Sequence, residues 1–201
     1  EPQPPQLLAA LGEVYGVDPS RLFVGRGSDE PIDLLTRAFC RAGQDSVLIA
    51  PPTFGMYAVA AQVQGAKVRT VPLRAEHGFA FDVDAVFAAV DANTRIVYAC
   101  TPNNPTGNSI DPSVLLDLAE RLRDRALLVV DEAYIEFSMR DSLATRAGAP
   151  DNLVVLRTLS KAHGLAGVRI GTAIAAPEVI GLLRRIMAPY PLPEPSIDAA
   201  M

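Results

Sequence analysis

The chain has 201 residues, 49% of them hydrophobic and 20% charged, with 18 Lys and Arg against 23 Asp and Glu for a net charge of −5. That length suits one domain or one and a half, a single core of this size burying roughly 70% of the unfolded chain's surface, and the acidic balance argues against a phosphate-backbone binder, so no nucleic-acid partner is expected. No apolar run approaches the ~20 residues of a membrane span, and only two cysteines are present, Cys40 and Cys100, at no metal-like spacing. The expectation is a soluble, cytoplasmic protein with no membrane partner, no structural zinc and no disulfide framework.

Pro5 to Tyr15 reads as a first helix, with Leu7, Leu8, Leu11 and Val14 on one stripe and Gly16 just past its end. Leu22 to Gly25 is a short strand. Ser28 or Asp29 caps a second helix carrying Ile32, Leu35 and Phe39, and Ser46 to Ala50 follows as a buried strand. A helix near Phe54 to Gln64 precedes the strand Lys67 to Pro72, and another near Val83 to Val90 precedes Arg95 to Cys100. Asp111-Pro112 opens a helix running to about Asp124, with proline in its first turn, before the strand Leu127 to Asp131. Asn152 to Arg157 and Val168 to Ala173 are strands, and Pro177 to Met187 is a helix. Pro189, Pro191, Pro193 and Pro195 are expected to break any regular structure after it. Strands alternating with helices define a doubly wound α/β fold: a mostly parallel sheet sandwiched by helices.

In such sheets ligands bind beyond the carboxyl ends of the strands, and Gly27, Asn104, Asp131 and Lys161 all lie just past expected strand ends. Lys161 sits among hydroxyls, small residues and glycines in Thr158-Leu159-Ser160-Lys161-Ala162-His163-Gly164, as a Schiff-base lysine would. An amine attacks an aldehyde as the free base, which a nearby cation such as Arg169 favours; otherwise Arg169 reads as a surface charge. Asp131 reads by default as a solvated strand-end carboxylate, but Val129 and Val130 before it and Ala133 after it suggest a partly buried setting, in which a carboxylate wants a cationic partner, and a protonated pyridine nitrogen is one. Asn104 and Tyr134 could hydrogen-bond a ring oxygen, although each taken alone reads first as structural, Asn-Pro being common in turns. Phe54 offers a face to a flat heterocycle, although an aromatic beside a helix start is first of all a core residue. Gly27-Ser28-Asp29 reads first as an N-cap and second as a phosphate cradle of free N–H groups, with Thr158, Ser160 and Arg169 as further donors. His77 and His163 are too isolated for metal ligation, and no metal site is expected.

Taken together, Gly27 to Glu30, Arg37 to Cys40, Pro51 to Tyr57, Asn103 to Gly107, Asp131 to Phe137, Arg157 to Gly167 and Ala188 to Leu192 resemble the fold-type-I pyridoxal-phosphate aminotransferases, and among them the histidinol-phosphate aminotransferases. The resemblance implies pyridoxal 5'-phosphate as cofactor, with Lys161 as Schiff-base residue and proton shuttle, Asp131 on the pyridine nitrogen, Asn104 and Tyr134 on the phenolic oxygen, and Phe54 stacked on the ring. It implies a phosphate cup of the Ser28 and Asp29 backbone, Thr158, Ser160 and Arg169. The reaction implied is ping-pong transfer of the amino group of L-histidinol phosphate by way of the cofactor to 2-oxoglutarate, giving glutamate, in a homodimer serving histidine biosynthesis. A phosphothreonine decarboxylase, another amino-acid aminotransferase and a non-catalytic cofactor-binding fragment share the pattern. The family often carries tyrosine at the position of Phe54 and phenylalanine at that of His163. Its members also have a segment preceding Glu1 and a small C-terminal domain bearing the substrate-binding arginine. Residues 1–188 are therefore expected to be the cofactor-binding large domain, and 189–201 the start of a Pro-rich connection toward the small domain.

Overall fold

The structure is a computed structural model that describes residues 2–201. Seven strands form one sheet: β1 (Leu22–Arg26), β2 (Ser46–Ile49), β3 (Lys67–Thr70), β4 (Thr94–Cys100), β5 (Leu127–Asp131), β6 (Leu153–Thr158) and β7 (Ile170–Ile174), in the order β1-β7-β6-β5-β4-β2-β3. Neighbouring strands are parallel except at β7, which runs antiparallel to both β1 and β6. The single reversal leaves β1, β2, β4, β5 and β6 pointing the same way, so their carboxyl ends share one edge.

The strands β2, β5 and β6 are buried along their whole length, as expected for parallel strands covered on both faces. Alternate side chains feed two cores. Leu22, Val24, Leu48, Val97, Leu128, Val130 and Val155 pack toward α1 (Pro5–Tyr15), α4 (Val83–Ala88) and α5 (Pro112–Arg121). Phe23, Val47, Ile96, Tyr98, Val129, Val154 and Leu156 pack toward α2 (Asp29–Phe39), α3 (Met56–Gln64) and α6 (Pro177–Ile186). The period-2 alternation of the strands thus divides one apolar run between two faces. The edge strand β3 carries Lys67 and Arg69 and is mostly exposed, which discourages pairing with another sheet.

Most expected elements lie where the sequence puts them, with ends shifted by one to three residues. In α1 the buried arc comprises Leu7, Leu8, Leu11, Gly12 and Tyr15, while Val14 is 62% exposed. Tyr15 takes the place expected of Val14 because the arc is centred between Leu11 and Tyr15, which turns Val14 to its rim. The last expected strand begins at Ile170 rather than Val168, since Ala166–Val168 forms a 3-10 turn.

The proline-rich end departs further from expectation. Residues Glu194–Ala200 form a helix, α7, with Pro193 as N-cap and Pro195 in the first turn, where a missing N–H costs nothing. Leu192, Ile197 and Ala200 of this segment pack onto the α1 side of the core. Among the described residues, no helix is long and apolar enough to cross a membrane, and no group of three or more His, Cys, Asp or Glu could hold a metal ion.

Candidate active site

Beyond the carboxyl ends of β1, β4, β5 and β6 lies a cavity of about 170 Å³, lined by Ser28, Asp29, Phe54, Cys100, Asn104, Asp131, Ala133, Tyr134, Thr158, Ser160, Lys161 and Arg169. All ten residues singled out from the sequence are on this wall. Cys100 and Ala133 are the two additions, and Cys100 also lines a second cavity, of about 220 Å³.

One end of the cavity is built for an anion. Strand β1 runs into Gly27, whose φ of +69° suits glycine and whose N–H donates to the Arg169 carbonyl at 2.8 Å. Ser28 is the N-cap of α2, yet its side chain makes no capping bond, so the first N–H groups of the helix are left for an outside partner. Glu30 turns away from the cavity and accepts the Arg26 N–H at 2.7 Å. From the other side comes Arg169, itself in the left-handed region at φ +58°. Its Nη1 donates to Ser160 Oγ at 3.3 Å and to the Ala166 carbonyl at 3.2 Å, and its Nη2 donates to Asp29 Oδ2 at 3.4 Å. A β-carbon on Gly27 would lie 2.5 Å from Arg169 Nη2, so only glycine lets the guanidinium rest there. The Thr158 hydroxyl donates to the Ile170 carbonyl and accepts the Ser160 N–H, which fixes the turn leading to Lys161.

The opposite end holds Asp131, the last residue of β5 and the register partner of Cys100. It is 2% exposed. Its Oδ2 accepts the Tyr57 O–H at 2.7 Å and its Oδ1 accepts the Ala133 N–H at 3.0 Å. Burial raises its carboxyl pKa above the ordinary value, against the lowering effect of the Tyr57 and Ala133 bonds. Among the described residues no cation pairs with it at salt-bridge distance. This setting fits a group with a protonated ring nitrogen, which would supply the missing positive charge.

Lys161 is exposed at the mouth of the cavity, its Nζ 5.0 Å from the centre of the Tyr134 ring. The turn carrying it is closed by Gly164 N–H to the Lys161 carbonyl and Leu165 N–H to the Leu159 carbonyl, both at 3.0 Å. Phe54 lies on the wall and meets the Tyr57 ring edge to face, with centroids 5.7 Å apart. His163 is off the wall, with Nε2 3.6 Å from Glu136 Oε1, consistent with a supporting position.

Tyr57 is the residue that reading the sequence misses. It lies within the Pro51–Tyr57 motif, but nothing in its spacing announces a partner so distant in the chain as Asp131. The available signal is general: a tyrosine on the buried side of a helix needs something for its hydroxyl.

Residues 2–201 match the family described as "Aminotransferase class I and II", and the chain belongs to that family, whose members depend on pyridoxal phosphate. It is 53% identical to a histidinol-phosphate aminotransferase of Stenotrophomonas maltophilia, covering 100% of this chain and 56% of the relative. It is 45% identical to the enzyme of the same name from Francisella philomiragia, covering 96% of this chain and 54% of the relative. The chain therefore spans about half the length of the curated relatives it matches. A solved histidinol-phosphate aminotransferase from Sinorhizobium meliloti, in complex with pyridoxal-5'-phosphate, superposes with a TM-score of 0.89 at 28% identity, covering 97% of this chain and 53% of that one. Thermus thermophilus aspartate aminotransferase with maleate gives 0.88 at 26%, covering 100% and 56%. The fold is that of the fold-type-I aminotransferases.

Proposed function

We propose that the chain is the cofactor-binding large domain of a pyridoxal-phosphate-dependent aminotransferase that moves the amino group of L-histidinol phosphate to 2-oxoglutarate. The observation that carries this reading is the joining of an anion-binding end, a buried unpaired carboxylate and an exposed lysine in one cavity. The substrate follows the names of relatives at 45 to 53% identity. A cytoplasmic homodimer in histidine biosynthesis completes the reading.

Pyridoxal phosphate supplies an aldehyde for Schiff-base formation and a pyridine ring that takes up the electron pair left when a substrate C–H bond breaks. The resemblance to the family and the shared cavity support the following roles. Arg169, Ser160, Thr158 and the free N–H groups at Ser28 and Asp29 would hold the phosphate through charge-assisted bonds and the positive end of the α2 dipole. Asp131 would keep the proton on the ring nitrogen. Asn104 and Tyr134 would donate to the phenolic oxygen, and Phe54 would cover the ring. Lys161 Nζ would hold the aldehyde end of the cofactor and, when free, would take a proton from the substrate Cα and return one.

Pyridoxal phosphate added to the full chain should give a visible absorbance band that Lys161→Ala abolishes; an unaltered spectrum in the intact protein would overturn the proposal. Assay of the full chain with histidinol phosphate, phosphothreonine and aromatic amino acids then tests the substrate, with turnover expected for the first. Preference for either alternative would reassign the chemistry on the same scaffold.

A further inference from the structure

Tyr57 is fully buried on α3, and its ring stacks on Tyr98 with centroids 4.5 Å apart and planes 9° from parallel. Tyr98 is anchored in turn by its hydroxyl, 3.2 Å from Thr36 Oγ1. The stack leaves the Tyr57 hydroxyl little freedom, and it donates to Asp131 Oδ2 at 2.7 Å. Burial and the neighbouring Asp131 charge raise the Tyr57 phenol well above its ordinary pKa, which favours its protonated, donating form. The Cys100 thiol beside it is pushed up to about 12 by burial, so it adds no negative charge. The same tyrosine meets the edge of Phe54.

We propose that Tyr57 is a positioning residue: by donating to Asp131 Oδ2 it lowers the basicity of that carboxylate, so the proton shared with a bound pyridine resides on the ring nitrogen. The inference rests on the cofactor reading above. The proton balance is simple. Asp131 and the ring nitrogen have one proton between them, and it lies on the weaker competitor's partner. Each bond donated to the carboxylate weakens its claim. Burial strengthens that claim, and beside the Ala133 N–H the Tyr57 hydroxyl is the side-chain donor opposing it. Loss of the hydroxyl leaves a buried carboxylate oxygen with one partner fewer, and the proton moves from nitrogen toward oxygen.

The test uses the full chain loaded with pyridoxal phosphate labelled with nitrogen-15 in the ring. In the wild type the ring-nitrogen chemical shift should report a protonated pyridine. Tyr57→Phe retains the ring, the stack and the contact with Phe54; its shift should move toward the neutral pyridine value, with cofactor affinity weakened about tenfold. Tyr98→Phe, which removes a hydroxyl of the same stack that does not reach Asp131, should leave the nitrogen shift unchanged, and thermal unfolding of both variants reports on packing. An unchanged nitrogen shift in a folded, loaded Tyr57→Phe protein would overturn this inference alone. A wild type that takes up no cofactor would overturn the reading it rests on. Equal nitrogen shifts in the two variants would reduce Tyr57 to a packing role.

Discussion

Gly171 of β7 lies directly against the Gly27–Ser28 peptide, so close that a β-carbon on Gly171 would overlap the Ser28 nitrogen and the Gly27 carbonyl carbon. Both obstacles are backbone, and neither can swing aside. Gly171→Ala should therefore push the loop at the start of α2 outward and destabilise the fold by about 1–3 kcal/mol, the usual cost of overpacking. The displaced atoms are those assigned to the phosphate, so affinity for pyridoxal phosphate should fall more than affinity for pyridoxal. Thermal unfolding and the two ligand titrations check it. Equal losses for the two ligands would detach this loop from phosphate binding.

Arg169 reaches Ser160, Ala166 and Asp29 with one planar guanidinium, from a backbone held at φ +58°. A lysine ammonium is a point charge and cannot span the same partners. Arg169→Lys is expected to bind pyridoxal phosphate about tenfold more weakly, the loss of one charge-assisted hydrogen bond. Its residual affinity should remain more sensitive to salt than its affinity for pyridoxal. Spectral titration at two ionic strengths gives the answer, and wild-type affinity in Arg169→Lys would place the guanidinium outside the phosphate site.

Local rules made much of this architecture legible. Apolar runs such as Leu127 to Asp131 and the glycine and proline punctuation located the seven strands and six of the helices, because those signals act over a few residues. The sequence also pointed to the site, since parallel strands deliver their carboxyl ends to one edge and the polar clusters follow those ends. Three things lay beyond it. The rotation of α1 that buries Tyr15 and exposes Val14 is set by the sheet it packs on, where the Arg157 guanidinium covers the Tyr15 ring at 4.7 Å. The bond between Tyr57 and Asp131 joins α3 to β5 and depends on strand order, which periodicity does not encode. The helix α7 was hidden for a simpler reason: proline stops a helix only past its first turn, and Pro195 lies within it.

Asp45 offers a test of stability apart from chemistry. It lies just before β2, at the sheet edge opposite the cavity, shielded from solvent, and accepts bonds from the Arg41 N–H and Nε at 2.8 Å and from Arg95 Nε at 2.9 Å. The Arg41 side chain, first among several donors, holds its carboxyl below the usual carboxylate range despite burial. A depressed folded-state pKa means that the stabilisation is present above the unfolded value of about 3.9 and disappears as pH falls through the lower folded value. Asp45→Asn should cost about 1–3 kcal/mol at neutral pH from weakened charge-assisted bonds, and the gap should close in strong acid. Cofactor affinity should stay at the wild-type level. A difference in melting temperature independent of pH would contradict the charge assignment.

Asp131 carries the opposite sign. Its folded-state carboxyl is raised by burial, so below the unfolded value of about 3.9 both states are protonated and the residue is neutral in its effect. As pH rises through the raised folded value, the cofactor-free protein must ionise a buried carboxyl and loses stability. Asp131→Asn escapes that cost: without cofactor its melting temperature should exceed the wild type's near neutrality, by a margin that shrinks to nothing in acid. Pyridoxal phosphate should invert the order. The wild type then gains a cationic partner for the carboxylate, about 2.7 kcal/mol of stabilisation at a free concentration a hundred times its Kd. The asparagine variant, with no charge to offer, should bind about 10- to 100-fold more weakly and gain correspondingly less. Melting curves across pH, with and without cofactor, contain the whole test: a wild type that outlasts Asp131→Asn in the absence of cofactor at neutral pH would mean that the carboxylate is already satisfied by the protein and awaits no ring nitrogen.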